Sequence, residues 1–207
     1  IDTDAEDCKK AEAEGLSVFQ SSGLDPDVLE EAGIDSMGTF IALTNNGEVN
    51  LVLAQRAAEE FQPPRVLAVF PHNKESNGTT SKIKVSQAFV SQLPVKTWNT
   101  YLDDGQFKLG ITVLKEPSFS FQQAHLQALI RSGELLPLLI KRENSLQIAK
   151  AGEDWQLGDE IIFLMHDPRP KLLKRLSGGN QSSRLTLEKL SEVEELPISA
   201  PMPQSPN

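Results

Sequence analysis

Thr39-Phe40-Ile41-Ala42-Leu43-Thr44-Asn45-Asn46-Gly47-Glu48-Val49-Asn50 decides the fold of the chain. Its first five residues form a continuous apolar run, the pattern of a strand buried on both faces. Thr44 to Gly47 is a polar turn. Beyond it, apolar residues at Val49, Leu51, Val52, Leu53 and Ala54, with Glu59 and Glu60 toward water, predict a helix to about Phe61. Pro63-Pro64 ends that helix, because proline has no N–H to donate and clashes with the preceding turn. Arg65 to Phe70 (RVLAVF) then predicts a second buried strand. Two apolar strands joined by a helix make a parallel pair with a crossover.

The same alternation extends toward the first residue. Asp25-Pro26 opens a helix with an N-cap acid and a proline in the first turn, Val28, Leu29 and Ala32 give it an apolar face, and Gly33 closes it. Leu16 to Phe19 reads as a short strand, followed by a turn at Ser21-Ser22-Gly23. Asp4 to Glu14 reads as a helix capped by Asp4 and stopped by Gly15, and Ile1 as the tail of a strand. The expectation is an α/β fold with a doubly wound parallel sheet. No G-x-G-x-x-G turn is present, and no room precedes Ile1 for the strand and helix that would carry it. With no initiator methionine, the chain reads as a piece of something longer: an incomplete Rossmann-like sheet whose first βα unit is missing.

Downstream the pattern changes. His72 to Ser81 is a polar linker, Lys84 to Val90 alternates like a half-exposed strand, and Val95 to Leu102 reads as a short helix. Strands are expected at 107–114, 135–140, 146–149 and 160–165, a helix at 121–130, and a turn at Gly158-Asp159. This is a small α+β domain. From Ser177 the chain is rich in Ser, Gly, Glu and Pro and reads as a disordered tail with a brief helix at Lys189 to Leu196. The expected organisation is therefore 1–71 partial Rossmann-like domain, 72–106 linker and insert, 107–176 small α+β domain, and 177–207 tail.

Composition excludes several functions. The 207 residues carry a net charge of −9, with no basic stripe interleaved with aromatics, so nucleic acid is not an expected partner. The single cysteine, Cys8, rules out an internal disulfide and a Cys-rich zinc site; it reads as a surface or boundary residue. No stretch approaches the roughly 20 apolar residues of a membrane helix. His72, His125 and His166 are widely separated and lack partners at metal spacing, so no metal site is expected, and no serine sits in a G-x-S-x-G elbow. Trp98 and Trp155 read as core or interface anchors.

The candidate binding residues lie at the carboxyl ends of the parallel strands, where ligands of open α/β sheets bind. Asp2, with Asp4 close by, sits where a ribose-binding acid would follow a strand; both also suit simple helix capping. Thr44 and Asn45 stand at the start of a helix, where they cap it or present its free N–H groups to an anion. Arg142, beside Lys141, is either an anion contact in the second domain or a residue of a solvated strand edge.

At this point the chain resembles a known family. IDTD (1–4), VFQSSGLDPDVLEEAGI (18–34) and TFIALTNNGEVNLVLAQRA (39–57) are similar to the later part of an RCK (TrkA-N) domain, the module that regulates potassium and related cation transport. Residues 107–166, chiefly LLPLLIKRENSLQIAKAGEDWQLGDEIIFLM (135–165), resemble the small TrkA-C (RCK-C) domain. The two parts with the insert look most like the cytosolic tail of a bacterial sodium/proton antiporter. The resemblance places the ribose-binding acid on Asp2, the adenine-side loop on Ser22, Gly23, Leu24 and Asp25, and the post-strand loop on Thr44, Asn45 and Asn50.

The resemblance implies a non-catalytic regulatory region on the cytoplasmic face of a membrane, attached to or docked on a transport domain. It implies pairing as a homodimer through the helix at Gly47–Phe61 and the insert around Trp98–Tyr101. The complete domain would bind NAD or an adenine nucleotide; without the glycine loop the chain is expected to bind it weakly or not at all. Two alternatives stay open: a stand-alone sensing subunit of a potassium channel or transporter, and a fragment of a nicotinamide-dependent dehydrogenase.

Overall fold

The computed structural model describes residues 1–70, 85–89 and 92–167, and the backbone of 193–195. The linker from His72, the histidine itself, and nearly all of the tail lie outside the described residues. The chain forms two compact units, residues 1–88 and 89–207.

The first unit is built on a parallel sheet. β1 (Phe40–Ala42) and β2 (Val66–Ala68) pair Phe40 with Val66 and Ala42 with Ala68. α3 (Gly47–Glu60) crosses over between them. Its buried residues, Asn50, Leu53, Ala54 and Ala57, recur at i, i+3, i+4 and i+7 and so share one face. Ala54 and Ala57 have no exposed surface, which lets the helix approach closely. Leu53 and Ala54 pack with Ala42, Val66 and Ala68, while Ala57 joins Leu29 and Ile34.

β3 (Ser86–Gln87) adds to this sheet in parallel, pairing with Leu67 and Ala68 in the order β1-β2-β3. The strand expected inside the insert thus belongs to the first sheet, and the first unit continues past residue 71. The Gln87 carboxamide also donates to Phe70 O at 2.8 Å.

Two helices precede β1. α1 (Ala5–Ala13) is capped by the Asp4 carboxylate, which accepts from the amides of Glu6 and Asp7 at 2.8 and 3.1 Å. α2 (Pro26–Glu31) has Asp25 as its N-cap and Pro26 in its first turn. Leu16 to Phe19, expected as a strand, forms none. The only parallel pairing there is Asp2 with Gln20. Asp2 N donates to Phe19 O, and Ser21 N to Asp2 O. The segment alongside has two residues before α1 is capped, too few to support a ladder. This pair is not joined to the three-stranded sheet.

The second unit is an antiparallel sheet with a helix on each face. Its strands are β4 (Phe107–Val113), β5 (Leu135–Arg142), β6 (Ser145–Ile148), β7 (Glu160–His166) and β8 (Val193–Glu195), in the order β6-β5-β7-β4-β8. Where a helix is expected at 189–196, the described residues, 193–195, form β8, with Ile111 paired with Glu194. α5 (Phe119–Ser132) covers one face, with Leu126, Leu129 and Ile130 on Ile161, Phe163 and Met165. α4 (Val95–Asp103) covers the other, with Trp98 and Tyr101 against Leu136, Leu164, Phe107 and Leu109. Alternate residues of β7 thus serve opposite cores, and burial of each large apolar side chain contributes about 1.5–3 kcal/mol. Pro137, which has no N–H for the ladder, sits at a bulge between β5 and β7. Trp98 and Trp155 are both core residues.

Candidate functional site

The carboxyl edge of the parallel sheet is organised by the start of α3. Asn46, not Thr44 or Asn45, is its N-cap: the Asn46 carboxamide oxygen accepts from Glu48 N and Val49 N at 3.0 and 3.2 Å. Thr44 instead closes the loop, its hydroxyl accepting from Asn46 N and donating to Asn46 O, both at 3.1 Å. This is a local side-chain turn of the kind threonine favours.

Asn50 is fully buried and satisfied on both ends. Its carboxamide oxygen accepts from Thr44 N at 2.7 Å, and its nitrogen donates to Thr44 O at 3.0 Å and Val69 O at 2.7 Å. The side chain therefore fastens the exit of β1 to the exit of β2. Expected to face a ligand, it is a structural clamp instead, because its two donors and one acceptor bond are already spent within the protein.

The 22–25 loop rests on the same helix. Arg56 of α3 donates to Leu24 O at 2.7 Å and bridges to Glu60 at 3.1 Å. A Cβ on Gly23 would meet Leu53 Cδ2 at 3.3 Å, so the loop lies close against α3. Ser22 Oγ accepts from Leu24 N at 3.2 Å, and Asp25 caps α2 through Asp27 N at 3.1 Å. Asp2 reaches this loop through its backbone bond to Ser21. The structure thus brings Asp2 to the 21–25 loop, and holds that loop and the Thr44 loop on a single helix.

The two aspartates at the start of the chain differ. Asp4 is occupied as a cap, and the amides of Asp7 and Glu6 hold its carboxyl below its ordinary value. Asp2 accepts from Asp4 N at 2.9 Å through one oxygen and is exposed to solvent. Cys8, expected at the surface or at a boundary, is buried at 4% exposure with its thiol donating to Asp2 O at 3.5 Å. Burial, and then the Asp2 charge, push that thiol above its ordinary pKa. The polar neighbours of Cys8 in sequence hid its place on the inner side of α1.

Asp2 and its neighbours make an exposed acid beside a short loop. They do not supply a phosphate cradle, since no glycine-rich turn stands among the described residues and the α3 amides at Glu48 and Val49 are taken by Asn46.

In the second unit, Arg142 is neither an anion contact nor a solvated edge. Its guanidinium grips Asp159 with two bonds of 2.8 Å and donates to Asp154 O at 3.2 Å. Asp159, 1% exposed, also accepts from Gln156 N at 2.7 Å. Burial alone would raise the Asp159 pKa; the Arg142 bonds and the Gln156 amide outweigh it and hold it low. The pair locks the 150–159 turn to β5. Among the described residues, no group of three His, Cys, Asp or Glu is placed to hold a metal ion.

The TrkA-N domain family model matches residues 1–90. Residues 1–90 are similar to a TrkA-N domain. The match covers the parallel sheet through β3, in agreement with the compact unit of residues 1–88. No curated protein matches the chain. The TrkA-N domain therefore contains Asp2, the 22–25 loop and the Thr44 loop, whereas the Arg142–Asp159 lock lies outside it. Sequence reasoning overlooked Asn46, whose position just before the first apolar turn was the available signal.

Proposed function

We propose that the chain is the regulatory region of a monovalent cation:proton antiporter, with the TrkA-N domain as its ligand-responsive part. The observation that carries this is the match of a TrkA-N domain to a unit whose strand-end loops converge on α3. No helix among the described residues is long and apolar enough to cross a membrane. In this reading transport itself belongs to an attached or docked partner. The region acts by biasing that partner, without catalysis.

The ligand is a nucleotide, NAD or an adenine nucleotide, with the Asp2 carboxylate accepting from its ribose hydroxyls. Ligand binding shifts the arrangement of paired domains only insofar as it prefers one of them; a tenfold preference biases it by about 1.4 kcal/mol. Pairing uses the outer face of α3, where Val49 and Val52 are 37% and 48% exposed. At the second surface expected for pairing, around Trp98–Tyr101, the Trp98 side chain is buried at 3% exposure while Asn99 and Thr100 are exposed.

Titration of NAD+ and ADP against the chain, followed by amide chemical shifts, tests the ligand assignment. The expected result is weak, saturable shifts at Asp2–Asp4 and Ser21–Asp25, reduced about tenfold in affinity by Asp2→Ala, the size of a lost hydrogen bond to a charged group. Shifts centred elsewhere, or unchanged by Asp2→Ala, contradict it.

A further inference from the structure

The last residue of β7 is a histidine, His166, packed against α4. His166 stacks on Tyr101 of α4, with ring centroids 3.7 Å apart and planes 9° from parallel. Tyr101 in turn meets Trp98 edge-on at 5.6 Å. The three rings form the seam between α4 and the sheet, over Leu136, Leu164, Phe107 and Leu109. His166 Nε2 is buried and has no hydrogen-bond partner among the described residues. A neutral imidazole tolerates this with its bare lone pair, but an imidazolium must place a second N–H there with no acceptor to receive it.

We propose that His166 is a proton-operated latch on α4: protonation of its imidazole loosens the helix from the sheet and uncovers the apolar face beneath. The charges that act on it are few. Asp167 follows it and is paired with Lys108 of β4 at 3.6 Å; Glu134, at the head of β5, is exposed and accepts the His166 backbone N–H through its carbonyl. α4 contributes Tyr101. Burial opposes the charge, Asp167 and Glu134 favour it, and burial prevails, so the group titrates below its ordinary value. This latch lies in the second unit and does not depend on a ligand at the TrkA-N domain.

The test uses the full chain, in which Trp98 and Trp155 are the only tryptophans. In a Trp155→Phe background, Trp98 emission is followed as pH falls, with and without His166→Phe, which keeps a ring on Tyr101 but cannot titrate. The expected result is a red shift and increased quenching with a midpoint below about 6.5, absent in His166→Phe. Identical pH curves for the two variants overturn the proposal. Hydrogen exchange of residues 95–103 in the chain with both tryptophans provides the second reading. Faster exchange at acid pH, corrected for intrinsic rates and lost on His166→Phe, supports the latch. Exchange unaffected by that substitution overturns it.

Discussion

The carboxamide nitrogen of Asn50 lies 2.7 Å from the carbonyl oxygen of Val69, tying the start of α3 to the end of β2. Gln122 repeats the arrangement in the second unit. It too is the fourth residue of its helix, is 2% exposed, and bonds Val113 O and Lys115 N at 3.0 Å. In both units a buried carboxamide replaces the backbone partners that a strand loses when the chain leaves it.

Asn50→Ala leaves Thr44 N, Thr44 O and Val69 O without that partner. The expected cost is about 3 kcal/mol, since each stranded buried group costs roughly 1–3 kcal/mol. Thr44→Val removes only the local turn bonds and is expected to cost about 1 kcal/mol. Urea unfolding midpoints of the two variants check the ranking; equal losses contradict the clamp.

Breaking the Arg142–Asp159 pair strands a buried charge. Asp159→Ala or Arg142→Ala is expected to destabilise the second unit by about 3–5 kcal/mol. Because the folded Asp159 pKa is depressed, the stability it contributes is present above the unfolded value near 3.9 and is lost as pH falls through the folded value. Thermal unfolding against pH should show an acid limb that Asp159→Asn, in an Arg142→Gln background, flattens.

Gly133 and Gly152 separate backbone strain from crowding. Both have positive φ, +77° and +73°, but only at Gly133 would a Cβ meet a neighbour, Leu93 Cγ at 3.0 Å. Gly152→Ala is expected to cost about 1 kcal/mol, the ordinary penalty for alanine in that conformation. Gly133→Ala, at the C-cap of α5, should cost about 2 kcal/mol by adding the steric term. Denaturant midpoints decide it.

Much of this architecture was legible from residues 39–70, because buried parallel strands are apolar throughout and helix ends carry Asp, Asn, Gly or Pro for local reasons. Asp4, Asp25 and Gly33 do what their types favour at helix ends. Contacts made across long sequence separations were not legible. The Asn50–Val69 bond spans 19 positions and the Arg142–Asp159 pair 17. Neither Asn nor Arg carries a pattern that distinguishes a ligand contact from an internal clamp. Cys8 and β3 were misplaced for the same reason: burial of a short polar segment depends on what folds over it. Among the candidate site residues, Asp2, Asp4, Ser22, Leu24, Thr44 and Asn45 are exposed, whereas Asn50 is buried and its carboxamide is bonded within the protein.

The central claim, that this region regulates cation exchange, is tested most directly in everted membrane vesicles from cells expressing the gene that encodes the chain. Sodium- and potassium-dependent proton exchange is measured with the gene intact, with the codons for residues 1–207 deleted, and with Asp2→Ala. The account predicts exchange that persists on deletion but changes in rate or cation dependence, with Asp2→Ala shifting it in the presence of added nucleotide. Exchange identical in all three would contradict it.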